Sequence, residues 1–132
     1  VDDTFGDFVY AYDVLPDGST KRERRFTRLD ALSQALPGKT ALENGLVVDP
    51  LTRLRSGADG MAVDDEGRLY VCSDPGIQVF DRKGYRLGII RLPKPPQNLA
   101  FAGPDKRTLY AVGRGSVFKM ALQTEGIRSR SK

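Results

Sequence analysis

The chain has no histidine and no tryptophan, and only one cysteine and two methionines among its 132 residues. Without histidine, Ser-His-Asp and Cys-His catalysis are excluded from within this sequence, as is any His-ligated zinc site. The lone Cys72 excludes an internal disulfide framework and cannot alone make a thiolate metal site. It closes the apolar run Leu69-Tyr70-Val71-Cys72 and reads as a small buried hydrophobe rather than a reactive thiol. No apolar run approaches the roughly 20 residues of a membrane span, so no membrane partner is expected. Val1-Asp2-Asp3-Thr4 carries neither an initiator Met nor a basic-then-apolar leader, so no targeting segment is visible. The expectation is a soluble chain from which a leader was removed, or a piece of something longer, with the compartment unknown.

What is present suits one globular domain with a real core: 39% hydrophobic and 29% charged residues. The net charge of +4 invites a nucleic-acid reading. The basic residues, however, fall in two places. Lys21-Arg22-Glu23-Arg24-Arg25 alternates as the solvent face of an edge strand would, where charge discourages edge pairing. The tail Arg128-Ser129-Arg130-Ser131-Lys132 reads as a frayed terminus. Neither makes a nucleic-acid patch, and no nucleic-acid partner is expected.

Along the chain, short apolar and β-branched runs alternate with turn signals. Phe8–Leu15 and Lys21–Leu29 form a hairpin around Pro16-Asp17-Gly18-Ser19, where Pro presets φ and Gly accepts the left-handed position. Asp30–Leu36 has the pattern of two helical turns capped by Asp30, followed by an irregular connection to Ser56 that has room for a short strand. From Gly57 strands are expected near Gly60–Asp64, Arg68–Ser73, Ile77–Asp81 and Arg86–Leu92. After Pro93-Lys94-Pro95-Pro96 the cycle restarts, with strands at Gln97–Ala102, Thr108–Gly113 and Ser116–Leu122. The residues after Leu122 have no partner visible in the sequence.

These strands repeat. Gly60-Met-Ala-Val63 aligns with Asn98-Leu-Ala-Phe101, Leu69-Tyr-Val71 with Leu109-Tyr-Ala-Val112, and Val79-Phe80 with Val117-Phe118. The offset of about forty residues is the period of a propeller blade of four short antiparallel strands. The fold class is therefore all-β, and the chain a partial β-propeller. Residues 8–29 are the end of one blade, 30–56 a long insertion after that hairpin, 57–93 a complete blade, 94–123 a last blade and 124–132 a tail. Two to three blades cannot close a ring and would leave apolar faces open. The expected partners are missing N-terminal blades of the same protein or, failing that, further copies of this chain.

One stretch carries the chemistry. Gly57-Ala58-Asp59-Gly60-Met61 sets a carboxylate between glycines at the start of a strand. From the residues alone, an Asx-type turn between Asp59 and Gly60 is the favoured role. Asp64-Asp65-Glu66 is an acidic cluster expected to be solvated on its turn, with a surface cation site as a distant second.

Gly57-Ala-Asp59-Gly-Met-Ala-Val-Asp-Asp-Glu-Gly-Arg-Leu-Tyr-Val71, then Gly76-Ile-Gln-Val-Phe-Asp81 and Leu87-Gly-Ile-Ile-Arg-Leu-Pro93, resemble the gluconolactonase-like (regucalcin, or senescence marker protein) family. Asn98-Leu-Ala-Phe-Ala-Gly-Pro-Asp105 followed by Leu109-Tyr110 is similar to another segment of that family, with Ala102 where Gly is usual. Val9-Tyr-Ala-Tyr-Asp13 with Pro16-Asp-Gly-Ser19 resembles the hairpin preceding its Asp-Gly-Met motif. The resemblance covers roughly residues 8–29 and 57–127.

It implies the C-terminal blades of a six-bladed propeller with one divalent cation (Ca, Zn, Mg or Mn) in the shaft, and hydrolysis of a sugar lactone or related small ester. Three oxygen ligands are implied: a Glu near the N-terminus, an Asn in a middle blade and the Asp of Asp-Gly-Met. Only Asp59 carries over, as metal ligand and as candidate catalytic base toward water. Asn44-Gly45-Leu46 mimics the family's Asn-Gly-Leu, but its place in the order is wrong for that ligand. Asn98 holds in its blade the position that Asp59 holds in the preceding one. It is a candidate for lining the substrate channel, with a structural role at the turn equally open. The alternative to a hydrolase is a non-catalytic propeller that kept its blades as a binding or scaffold module.

Overall fold

The computed structural model describes residues 1–4, 6–30 and 56–128. The expected helical turns after Asp30, and Asn44, lie outside the described residues. Among the described residues nine strands run in order: β1 (Phe8–Val14), β2 (Thr20–Arg28), β3 (Met61–Val63), β4 (Leu69–Ser73), β5 (Gly76–Phe80), β6 (Arg86–Ile90), β7 (Asn98–Ala102), β8 (Thr108–Gly113) and β9 (Ser116–Ala121). They form antiparallel sheets of two, four and three strands, each strand pairing with its neighbour in sequence. Short hairpin turns dictate this meander, since two strands joined by a few residues can only pair antiparallel.

One turn device recurs. Asp64 Oδ1 accepts the amides of Glu66 (3.1 Å) and Arg68 (2.8 Å). Asp81 Oδ1 accepts those of Lys83 (2.8 Å) and Tyr85 (2.9 Å). In both, the aspartate fixes amides two and four residues on, while a glycine (Gly67 or Gly84) takes a positive φ between them. Asp17 and Asp105 close their hairpins with the same kind of bond, to Ser19 and Arg107.

The four-stranded sheet is buried on both faces, so β4 and β5 read as nearly continuous apolar runs rather than a polar alternation. One face (Val71 and Phe80, with Leu69 and Met61) packs on Val9 and Leu29 of the hairpin unit. The other (Tyr70, Cys72 and Ile77) packs on Leu99, Leu109 and Ala111 of the third sheet. Tyr70 meets Phe101 edge-on at 5.3 Å. Each fully buried Ile, Leu or Phe here contributes about 1.5–3 kcal/mol. Gln78, fully buried amid this, is satisfied by both backbone groups of Asp30 (2.9 and 3.0 Å) and by Ser73 Oγ (3.0 Å). These three sheets are thus packed face to face in sequence order, the arrangement of propeller blades. The outward face of the third sheet leaves Val112 and Val117 exposed.

Two expectations need correction. Asp64 is not a solvated turn residue: it is fully buried and accepts Arg68 Nε (2.6 Å), Tyr70 Oη (3.1 Å) and Thr124 Oγ1 (3.2 Å) besides the two turn amides. A buried carboxylate persists only when paired and hydrogen-bonded, and Asp64 is both. The residues after Leu122 are not without partners either. Asp64 bridges Gly126, the Asp65 amide donates to the Glu125 carbonyl (2.8 Å), and Arg128 pairs with Glu125 (2.8 Å). The segment through Arg128 is therefore held by bonds to the turn after β3, and the rest of the tail expected to fray, 129–132, lies outside the described residues.

Candidate functional site

Strand polarity gives the sheets two ends. At one lie the aspartate turns after β3 and β5. An open groove of about 700 Å³ lies there, lined by Arg68, Arg82, Tyr85 and neighbouring charged residues. At the other lie the start of β3, the β4–β5 turn, the start of β7 and the β8–β9 turn. Asp59 belongs to this second end, so the groove is not part of its surroundings.

Asp59 is held by backbone alone. Its amide donates to the Cys72 carbonyl (3.1 Å), and the Cys72 amide returns a bond to the Gly60 carbonyl (2.9 Å). The Gly60 amide donates across to Gln97 in the next sheet (2.8 Å). An Asx turn at Asp59 would take the Met61 amide, two residues on, and no such bond is made among the described residues. The Asp59 side chain is exposed and receives no hydrogen bond from the described residues. Beneath it, burial and, secondarily, the Asp59 charge push the Cys72 thiol up to about 12, which keeps it protonated and inert.

Asn98 stands beside this turn. A Cβ on Gly60 would lie 2.8 Å from the Asn98 Cα and 2.7 Å from its Cγ. Asn98 Oδ1 accepts the Leu99 amide (2.8 Å), a structural bond, while the residue remains exposed at the start of β7. β3 and β7 are thus adjacent first strands of neighbouring sheets, which brings Asp59 and Asn98 together at one mouth.

Two residues that sequence reasoning passed over share this end. Asp74, in the β4–β5 turn, places both carboxylate oxygens 2.6 Å from where a Gly57 Cβ would sit, and the φ of +62° favours glycine at that position. Burial raises the Asp74 carboxyl pKa, and the charge of Arg114 offsets part of that rise. Arg114, in the β8–β9 turn, is anchored by its backbone, its amide on Gln97 Oε1 (3.2 Å) and its carbonyl near Lys94 Nζ (3.5 Å). The available sequence signal was positional: both turns follow the second strand of their unit, at the end where Asp59 sits.

The donor set at this mouth is oxygen-rich and free of soft ligands, which suits a hard cation in kind. In number it falls short. Such cations take about six or more oxygens, and no group of three His, Cys, Asp or Glu is placed to hold a metal among the described residues. Asp59 and Asn98 do not by themselves make a metal site.

Antiparallel sheets stacked face to face, with first strands side by side and a carboxylate at their mouth, define blades of a β-propeller protein. Residues 1–113 match the model of the SMP-30/Gluconolactonase/LRE-like region, and the chain belongs to that family. Similar solved structures include a protein assigned by family to the gluconolactonases (22% identity, TM-score 0.68, 93% of this chain and 34% of that one). Others are a gluconolactonase from Xanthomonas campestris (23%, 0.55, 86% and 29%) and a luciferin-regenerating enzyme (20%, 0.65, 96% and 42%). At these identities the likeness establishes the fold. The chain spans about a third of the length of these structures. No curated protein matches it. Among the described residues no helix is long and apolar enough to cross a membrane.

Proposed function

We propose that this chain supplies the C-terminal blades of a lactone hydrolase and that Asp59 is its contribution to the reaction centre. The supporting observation is the exposed Asp59 carboxylate, unbonded among the described residues, on a backbone fixed by three hydrogen bonds at the junction of two neighbouring sheets. A side chain with no partner among the described residues, on so constrained a turn, is positioned for a ligand rather than for stability.

In this reading the substrate is a small cyclic ester. The Asp59 carboxylate takes a proton from water as the water oxygen bonds to the lactone carbonyl carbon. The ring C–O bond then breaks, and its oxygen leaves with a proton as the hydroxyl of the open acid. Asp59 is also proposed as one oxygen ligand of a divalent cation whose remaining ligands come from outside the described residues. Such a cation supplies polarisation of an ester carbonyl. Asn98, beside Asp59, lines the channel by which substrate arrives.

The test is hydrolysis of a panel of lactones by the protein carrying this chain, with added Ca, Zn, Mg or Mn and after chelation. Asp59→Ala is expected to lower kcat by about 100-fold or more. If the unaltered protein opens no lactone under any of these conditions, the binding or scaffold reading replaces this one. If Asp59→Ala keeps full activity, the role given to Asp59 is wrong.

A further inference from the structure

The groove at the end opposite Asp59 takes no part in the reaction scheme. It joins two turns of the four-stranded sheet, the one after β3 and the one after β5. The turns touch: a Cβ on Gly67 would lie 3.4 Å from the Arg82 Cβ. Both are rigid. In the second, the amides of Lys83 and Tyr85 are held by Asp81 Oδ1 (2.8 and 2.9 Å), and the Gly84 amide donates to the Asp81 carbonyl (2.9 Å). The Gly84 carbonyl also accepts the Thr27 hydroxyl (2.8 Å), which ties this turn to β2. In the first, the Asp64 bonds and the Asp65 amide on the Glu125 carbonyl do the same work.

The two walls differ in charge. The turn after β3 holds Asp64, Asp65 and Glu66 against one cation, Arg68, which is spent within that wall on Asp64 (2.6 Å) and Glu66 (3.0 Å). That wall is acidic. The turn after β5 holds Arg82 and Lys83 against Asp81 alone, and among the described residues neither cation makes a side-chain hydrogen bond or ion pair. That wall is basic. Tyr85 and Leu87 line the same groove and are 70% and 58% exposed. Tyr85 is the only exposed aromatic side chain among the described residues. Tyrosine is enriched among the residues that carry binding energy at protein interfaces. With its backbone already fixed, only side-chain freedom remains to be lost on contact.

We propose that this groove is a two-fold interface between two copies of the chain. The Arg82–Lys83 wall of each copy faces the Glu66 wall of the other, and the Tyr85 side chains pack across the axis. A two-fold axis sets one patch against itself after half a turn, so a patch acidic on one side and basic on the other meets its complement. A uniformly acidic or uniformly basic partner would satisfy one wall and be repelled by the other. A second copy satisfies both. The interface lies at the far end of the sheet from Asp59, so it leaves that mouth open and stands whether or not the chain belongs to a hydrolase.

The experiment is sedimentation velocity on the protein carrying this chain, at low and at high salt. A dimer in exchange with monomer is expected, and salt should weaken it because its polar contacts are between exposed charges. Lys83→Glu and Glu66→Lys each set like charges against one another on both sides of the axis. Each is expected to weaken the dimer about tenfold or more. Mixed in equal amounts, the two variants should restore it, since each copy then meets the opposite charge on both sides. Tyr85→Ser removes the central contact without changing charge and is expected to weaken the dimer about tenfold. It provides the test if a charge variant does not fold, which thermal melting reveals. A protein that stays monomeric at about 100 μM overturns the proposal. So does a dimer that none of the three variants weakens, because its interface lies elsewhere. Dimers weakened singly but not restored by mixing rule out the two-fold pairing.

Discussion

Gly60 lies against Asn98 so closely that a single added methyl group would meet the Asn98 backbone, 2.8 Å from its Cα. This contact sets the spacing of the two first strands at the mouth, and with it the position of Asp59. Its φ is not in the left-handed region, so the requirement for glycine here is one of space.

Gly60→Ala is therefore expected to force β3 and β7 apart. Overpacking of this kind costs about 1–3 kcal/mol, because backbone rather than a flexible side-chain end is in the way. Thermal melting reads the stability loss, and lactone hydrolysis reads the displaced Asp59. An unchanged melting temperature would show that β7 can retreat at no cost.

Asp64 joins the turn after β3 to Arg68, Tyr70 and Thr124. Asp64→Ala leaves the partly buried Arg68 guanidinium and the buried Tyr70 hydroxyl without their shared acceptor. The expected loss is about 3–5 kcal/mol in urea unfolding. Hydrogen exchange should also quicken at the amides of Asp65 and Gly126, whose bonds hold the C-terminal segment. A loss below about 1 kcal/mol would mean the network adds little beyond the turn itself.

Alkaline pH tests the core between the second and third sheets. Burial, followed by the nearby Asp64 charge, pushes Tyr70 up to about 12 from its ordinary 10.0, and Cys72 rises to about 12 from 9.0. In both, the folded chain holds a proton that the unfolded chain releases. Stability is therefore fully present below about pH 9 and is expected to fall from there to about pH 12. Each unit of displaced titration is worth about 1.4 kcal/mol. Urea midpoints at intervals across this range check the slope, and Tyr70→Phe with Cys72→Ala should flatten it.

Much of the fold was legible because strands, turns and blade period are local properties. Pro16-Asp17-Gly18 marks a hairpin wherever it stands, and Leu69-Tyr-Val-Cys72 reads as buried from composition alone. The strands end within a residue or two of where the turn residues place them, since Asp-x-x-Gly fixes amides that are near in sequence. Asp59 and Asn98 were legible as candidates because each opens the first strand of its unit.

What the sequence could not show was which polar groups meet across the chain. Asp64 looked like one of three solvated acids, and only packing buried it. Thr124 reaches it from 60 residues away, and Arg68 and Tyr70 point to it because β4 lies alongside. The same holds for Asp74 and Arg114, ordinary turn residues until two sheets stack and bring their turns to one rim. By itself the sequence determined the all-β blade repeat and the carboxylate between glycines, because backbone preference and alternating hydrophobicity act over a few residues. Tertiary structure alone decided that Gly60 gives its amide to Gln97, which ties the turn carrying Asp59 to the next unit, because that bond spans 37 residues and exists only when β3 and β7 lie side by side.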